Sequence, residues 1–190
     1  MSAPGDGLPT VELFFTRILF RLFSYGSADG KIRVKFKKET DLIKRIISEV
    51  DDSILHKPIT IPRVMGIEDV SKHWSIAMTM HHLNIVNRAI STLIDQLEKG
   101  HTPSLIVRIQ DVKPPLEISP NIREEFEQTS SAYLEEVKKF NRLGVKSRLT
   151  HPHPWFGAMN SHDWLALSAL HQGVHRRQIA MILACSKIKN

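Results

Sequence analysis

The stretch "NSHDWLALSALHQGVHRRQIAMILACSK", residues 160–187, contains no proline and only one glycine, and its apolar residues recur at helical spacing. From Trp164, steps of three and four trace Leu167, His171, His175, Gln178, Ile182 and Cys185 along one seam. Asn160 followed three residues later by Asp163 has the spacing of a capping box, with Asp in place of Glu or Gln, so a long helix is expected to start there. Pro152, Pro154 and Gly157 forbid its extension backwards.

Working outward, proline and glycine separate four further helical patterns. They are expected over about residues 9–24, 38–54, 68–99 and 120–142, the second with Ile43, Ile46, Ile47, Val50 and Ile54 on one face. The segment between the third and fourth carries Pro103, Pro114, Pro115 and Pro120, with "SLIVRIQ" readable as a short strand. Antiparallel neighbours need only a short loop, so this connection is read as a long crossover. The expected fold is all-α, a four-helix bundle core with an extra N-terminal helix and a long crossover connection, forming a single domain over residues 1–190.

Composition sets limits on function. At 190 residues, 42% hydrophobic and 24% charged, the chain has the make-up of one globular domain. The single cysteine, Cys185, excludes an intramolecular disulfide, and "MSAPGDGLP" lacks the basic segment of a secretory signal, so a cytoplasmic protein is expected. "VELFFTRILFRLF", broken by Arg17 and Arg21, is too short for a membrane span and reads as a core or interfacial helix. The 26 Lys plus Arg against 20 Asp plus Glu leave a net charge of +6. "KIRVKFKK", residues 31–38, alternates basic and apolar residues as a strand edge would, without base-stacking aromatics. Nucleic acid is therefore not an expected partner; a diffuse positive surface gives only weak, salt-sensitive phosphate contacts.

The chemistry lies in the histidines. His171 and His175, four apart on the last seam, are offset by about 40° and can converge on one point. On the third helix the seam runs Trp74, Met78, His82, Ile85, Ala89, Leu93 and Leu97, while His81 falls with Ala77, Asn84 and Arg88 on a more polar stripe. His82, His171 and His175 are thus candidate ligands of one divalent metal ion. Three protein ligands with an open position suit a catalytic centre, and imidazole accepts Zn²⁺, Ni²⁺ or Fe²⁺ alike. Binding should weaken below about pH 6, as ligation needs neutral imidazole with an ordinary pKa of about 6.5. Gln178 is a candidate supporting group for the metal's surroundings, Arg176 and Arg177 read as a solvated face or as groups that steer an anionic substrate, and Trp155 and Phe156 read as core or as pocket lining, core being the simpler reading. His151 and His153 in "HPHPW" either add to the metal shell or form a rigid lid; His56, His73, His101 and His162 read as surface or cap residues. An HExxH protease motif is excluded because position 172 is Gln.

Taken together, "HWSIAMTMHHLNIVN" and "HPWFGAMNSHDWLALSALHQGVHRRQI" resemble the DinB-like superfamily of metal-binding helical proteins. Trp74, Ser75, His82 and Leu83 match one of its segments, and His171, His175 and Gln178 match the HxxxHxxQ segment of its last helix; "HPWFG" resembles the turn before that helix in one branch. The resemblance implies a four-helix bundle, a divalent metal held by the three histidines, and often a homodimer. Characterised relatives include thiol-dependent transferases and isomerases, and with the metal site the reading is a metal-dependent hydrolase or a thiol-dependent transferase acting on a small molecule, with a low-molecular-weight thiol as one such partner. The alternative is a metal-binding helical protein without catalysis, a sensor or interaction module.

Overall fold

The computed structural model describes residues 7–140 and 149–188. Its six α-helices among these residues are α1 (Thr10–Gly26), α2 (Asp29–Ser48), α3 (Asp52–Leu55), α4 (Ile76–Glu98), α5 (Ile122–Phe140) and α6 (Ser161–Ile188). A hairpin of β1 (His151–His153) and β2 (Gly157–Met159) precedes α6, with His151 opposite Met159.

The bundle is built from α2, α6, α4 and α5 in that order around the ring, with α1 laid against α6. Pairings fix the directions. Thr40 meets Gln172 and Asp29 meets His162, so α2 and α6 run parallel. His82 meets His171 at one end of α4, and Ser161 bonds Glu98 at the other, so α4 and α6 are antiparallel. Phe36 stacks on Tyr133 while Lys44 reaches Glu127, so α5 opposes α2 and therefore runs parallel to α4. Two parallel neighbours cannot be joined by a tight turn, which explains the proline-rich crossover between them. The fold expected from sequence is thus the one observed.

Local chemistry explains the helix ends. Asn160 Oδ1 accepts from the Asp163 N–H at 2.9 Å and the Asn160 N–H donates to Asp163 Oδ2 at 3.3 Å, a reciprocal cap at the start of α6. The expected third helix is shorter than its periodic pattern. Residues 69–73 form a 3₁₀ turn, and α4 begins only after Ser75, whose hydroxyl accepts from the Met78 N–H at 3.0 Å. "KIRVKFKK" is helical rather than extended. Ile32 and Phe36 are fully buried in register with Thr40, Ile43 and Ile47, while Val34 faces outward. A 3.6-residue period kept over twenty residues outweighs a short alternation. Lys35 and Lys37 pair with Glu39 and Asp41 one turn on, which offsets part of the basic run.

The second helix also stops earlier than expected, at Ser48, leaving Ile54 in the separate α3. "SLIVRIQ" forms no strand; it leads into a 3₁₀ turn at Ile109–Val112. The expected end of the fourth helix near residue 142 lies outside the described residues. Gly66, at φ +92°, brings the α3–α4 linker onto α6: a Cβ there would sit 3.2 Å from Val174. Neither the backbone conformation nor the spacing favours a side chain. Its N–H donates to Glu12 of α1 at 2.7 Å.

Two apolar clusters fill the bundle, one around Ile43, Met80, Phe126 and Ile179, the other around Phe36, Leu93, Tyr133 and Trp164. Between them Thr40, Asn87, Ser130 and Gln172, one from each bundle helix, are all buried. Gln172 donates to the Thr40 hydroxyl at 2.8 Å. An axial slip of α2 against α6 would break this buried bond and leave both groups unpaired. Among the described residues no helix is long and apolar enough to cross a membrane.

Candidate metal centre

α4 and α6 bring His82, His171 and His175 together, with one ring nitrogen of each within 4.8 Å of the others. His171 Nε2 lies 3.1 Å from His82 Nε2 and 3.1 Å from His175 Nε2. His82 and His175 are buried and His171 is partly so.

Two of the three tautomers follow from the outer ring nitrogens. His82 Nδ1–H donates to the Val112 carbonyl at 2.7 Å. His175 Nδ1–H donates to Gln178 Oε1 at 2.6 Å, and Gln178 in turn donates from Nε2 to the Ser71 carbonyl at 2.7 Å. Both rings therefore present unprotonated Nε2 lone pairs to His171 Nε2. A single N–H on His171 cannot point at both, whereas one cation would satisfy all three nitrogens. Zn–N bonds of about 2.0–2.1 Å in a tetrahedral shell place neighbouring nitrogens about 3.3 Å apart, close to the observed spacing. The donor set therefore fits a divalent ion, and the three histidines can hold one.

Burial acts in the same direction. It pushes His82 down to about 4, against the opposing pull of the Val112 carbonyl and with help from the neighbouring His81. His171 and His175 are pushed well below the usual histidine range, first by burial and then by neighbouring imidazoles. The unfolded chain therefore takes up protons first as pH falls below about 6.5, and stability present above that pH is lost progressively toward pH 4. The same shift lowers the pH at which protons displace a metal. We expect a bound divalent ion to be retained below the pH of about 6 at which ordinary imidazoles would release it, followed by equilibrium dialysis; release centred at or above about pH 6 would contradict the burial of these rings.

Gln178 is fully buried between α6 and the 3₁₀ turn before α4, so its role is to hold the His175 ring. Gln178→Leu removes the acceptor for Nδ1–H and leaves the Ser71 carbonyl without its donor. Metal affinity should fall about 10–100-fold, the range for losing a group that orients a metal-binding histidine, as read by competition with a chromogenic chelator. An unchanged affinity would show that packing alone fixes the ring.

The site opens onto a cavity of about 400 Å³ whose walls include all three histidines, Trp74 and Arg177. His153, Trp155 and Phe156 from the hairpin line it too, so the two aromatics are half-buried cavity walls rather than interior core. His153 packs 5.0 Å from Phe156 and 5.5 Å from Trp164, and its Nδ1 accepts from the Trp155 N–H. Burial pushes it down to about 4. Neither His153 nor His151 belongs to the three-histidine cluster; His151 packs 6.3 Å from Trp164 and is buried. The hairpin is anchored to α1, where Arg17 donates to the Trp155 carbonyl at 2.5 Å and Arg21 to the Phe156 carbonyl at 3.2 Å.

Two further residues differ from their sequence reading. Arg176 is not a free solvated group; it pairs with Glu39 at 2.5 Å, tying α6 to α2 beside the site. His162 bridges Asp29 at 2.5 Å and the Ser24 carbonyl at 2.7 Å, and the Asp29 carboxylate raises its pKa. The groups missed from sequence were the Val112 and Ser71 carbonyls, backbone atoms that carry no residue signature.

No protein-family model and no curated protein matches the chain. A search of solved structures finds TT2238, a four-helix bundle protein, with a TM-score of 0.56 and 19% sequence identity, covering 80% of this chain and 98% of that one. At this identity the likeness is one of fold, and it agrees with the α2–α4–α5–α6 arrangement.

Proposed function

We propose that this chain is a DinB-like metal-dependent enzyme in which His82, His171 and His175 hold one Zn²⁺, Ni²⁺ or Fe²⁺ ion. The observation that supports catalysis over storage or sensing is that the three-histidine cluster forms part of a cavity wall and is not sealed in the core. A bound ion would lower the pKa of a water or thiol and polarise a substrate oxygen, the chemistry of a hydrolase or of a thiol-dependent transferase. The protein's own contribution is orientation: Val112 and Gln178 fix the two rings, beside cavity walls that are mostly apolar. The dimer implied by the family would cover the exposed face of α1, where Phe14, Phe15, Leu22 and Tyr25 are more than half exposed.

The test is to load tag-free protein with each of the three metals and screen hydrolysis of apolar esters and amides, with and without low-molecular-weight thiols. Metal-dependent turnover that His175→Ala abolishes supports an enzyme. Stoichiometric metal binding without turnover on any of these supports the non-catalytic alternative.

A further inference from the structure

The shape and polarity of the cavity narrow the ligand further. On α4 its wall steps from His82 through Ile85 and Ala89 to Leu93, about 16 Å at about 1.5 Å per residue. On α6 the facing wall runs back from His175 through Leu170 and Leu167 to Trp164. Polar groups flank the histidine end, and Thr16, Lys35 and His153 also line the cavity, His153 at the Trp164 end. Lys113, next to the Val112 that holds His82, pairs with Glu68 at 3.7 Å, and Arg177 follows His175 by two residues. Glu68 is 7% exposed, and its Oε1 has no hydrogen-bond partner. Beyond His82 the α4 wall offers only Ile85, Val86, Ala89, Ile90 and Leu93, closed by Phe20 and Phe156. Along this α4 wall a peptide-like or sugar-like ligand would find no side-chain hydrogen-bond partner.

We infer that the cavity takes a single-chain aliphatic acyl compound, its carboxyl or carbonyl group at the histidines and its hydrocarbon tail running toward Leu93 and Trp164. With C–C bonds of about 1.5 Å an extended chain advances about 1.25 Å per carbon, so the α4 wall matches about 12 carbons. The headgroup assignment rests on the metal reading above; the tail assignment rests on the cavity alone.

The experiment is a calorimetric titration of hexanoate, octanoate, decanoate, dodecanoate and hexadecanoate into zinc-loaded and chelator-stripped protein. Affinity should rise about three- to fourfold per methylene, the ratio expected for burying each CH₂, and level off past about 12 carbons. Zinc should strengthen every member by a similar factor. Ala89→Phe narrows the channel about 10 Å from His82, so its series should level off near eight carbons while zinc stoichiometry stays at that of the wild type. An affinity independent of chain length, or the same series in Ala89→Phe, overturns the inference. Displacement of bound decanoate by phosphatidylcholine vesicles would also overturn it, in favour of a lipid-surface ligand. A chain-length series that zinc does not strengthen sinks the headgroup assignment, and failure of the wild type to bind zinc at all sinks the metal reading; either leaves the tail assignment standing.

Discussion

His82→Ala, His171→Ala and His175→Ala should each reduce metal affinity by more than about 100-fold, while His81→Ala should leave it within a few-fold of the wild type. Adjacent helical positions are about 100° apart, so His81 and His82 cannot face one point. His82 Nε2 lies 3.1 Å from His171 Nε2, whereas His81 stands outside the cluster and acts on it only through its charge. Losing one of three ligands should exceed the about 10–100-fold cost of losing a group that merely orients one. Chelator competition on the four variants, with circular dichroism to confirm that each is folded, measures this. If His81→Ala empties the site and His82→Ala does not, the helix register proposed for α4 is wrong.

Asp163→Ala should destabilise the fold strongly, by about 3 kcal/mol. The carboxylate accepts from the buried Ser24 hydroxyl at 2.7 Å, pairs with Arg21 at 3.3 Å and closes the cap on the Asn160 N–H. Truncation strands the Ser24 hydroxyl, a cost of about 1–3 kcal/mol, and removes half of the capping box as well. For a chain of this size a fall of about 6–12 °C in Tm is expected by calorimetry. His171 lies two turns further along α6, so metal stoichiometry in the folded variant should be unchanged. A shift of less than about 2 °C would show that the Asp163 carboxylate contributes little to holding α1 on α6.

The three histidines and Gln178 were legible because helical stepping works wherever a helix is regular, as α4 and α6 are. The cap at Asn160 and Asp163 and the crossover before α5 were legible for the same reason: each depends on residue types with fixed backbone roles. Stepping says less about what an apolar stripe faces. Ile85 and Ala89 share the His82 stripe yet line the cavity, while the core is built from Met80, Leu83 and Ile94 on an adjoining stripe. An apolar wall and an apolar core have the same composition. The start of α4 was misplaced because Trp74 and Met78 keep helical spacing across the Ser75 cap, and Ser75 is also an unexceptional helix residue. The hairpin carrying His153 was missed because three-residue strands are too short to show a period.

The most direct test of the metal centre is X-ray absorption at the zinc edge of tag-free protein loaded at pH 7. The account predicts one ion per chain, with three imidazole nitrogens at about 2.0–2.1 Å and a remaining shell of light oxygen donors. The same spectrum from His171→Ala should show fewer than three imidazoles. An absence of stoichiometric zinc, or a wild-type shell with fewer than three imidazoles, would contradict it.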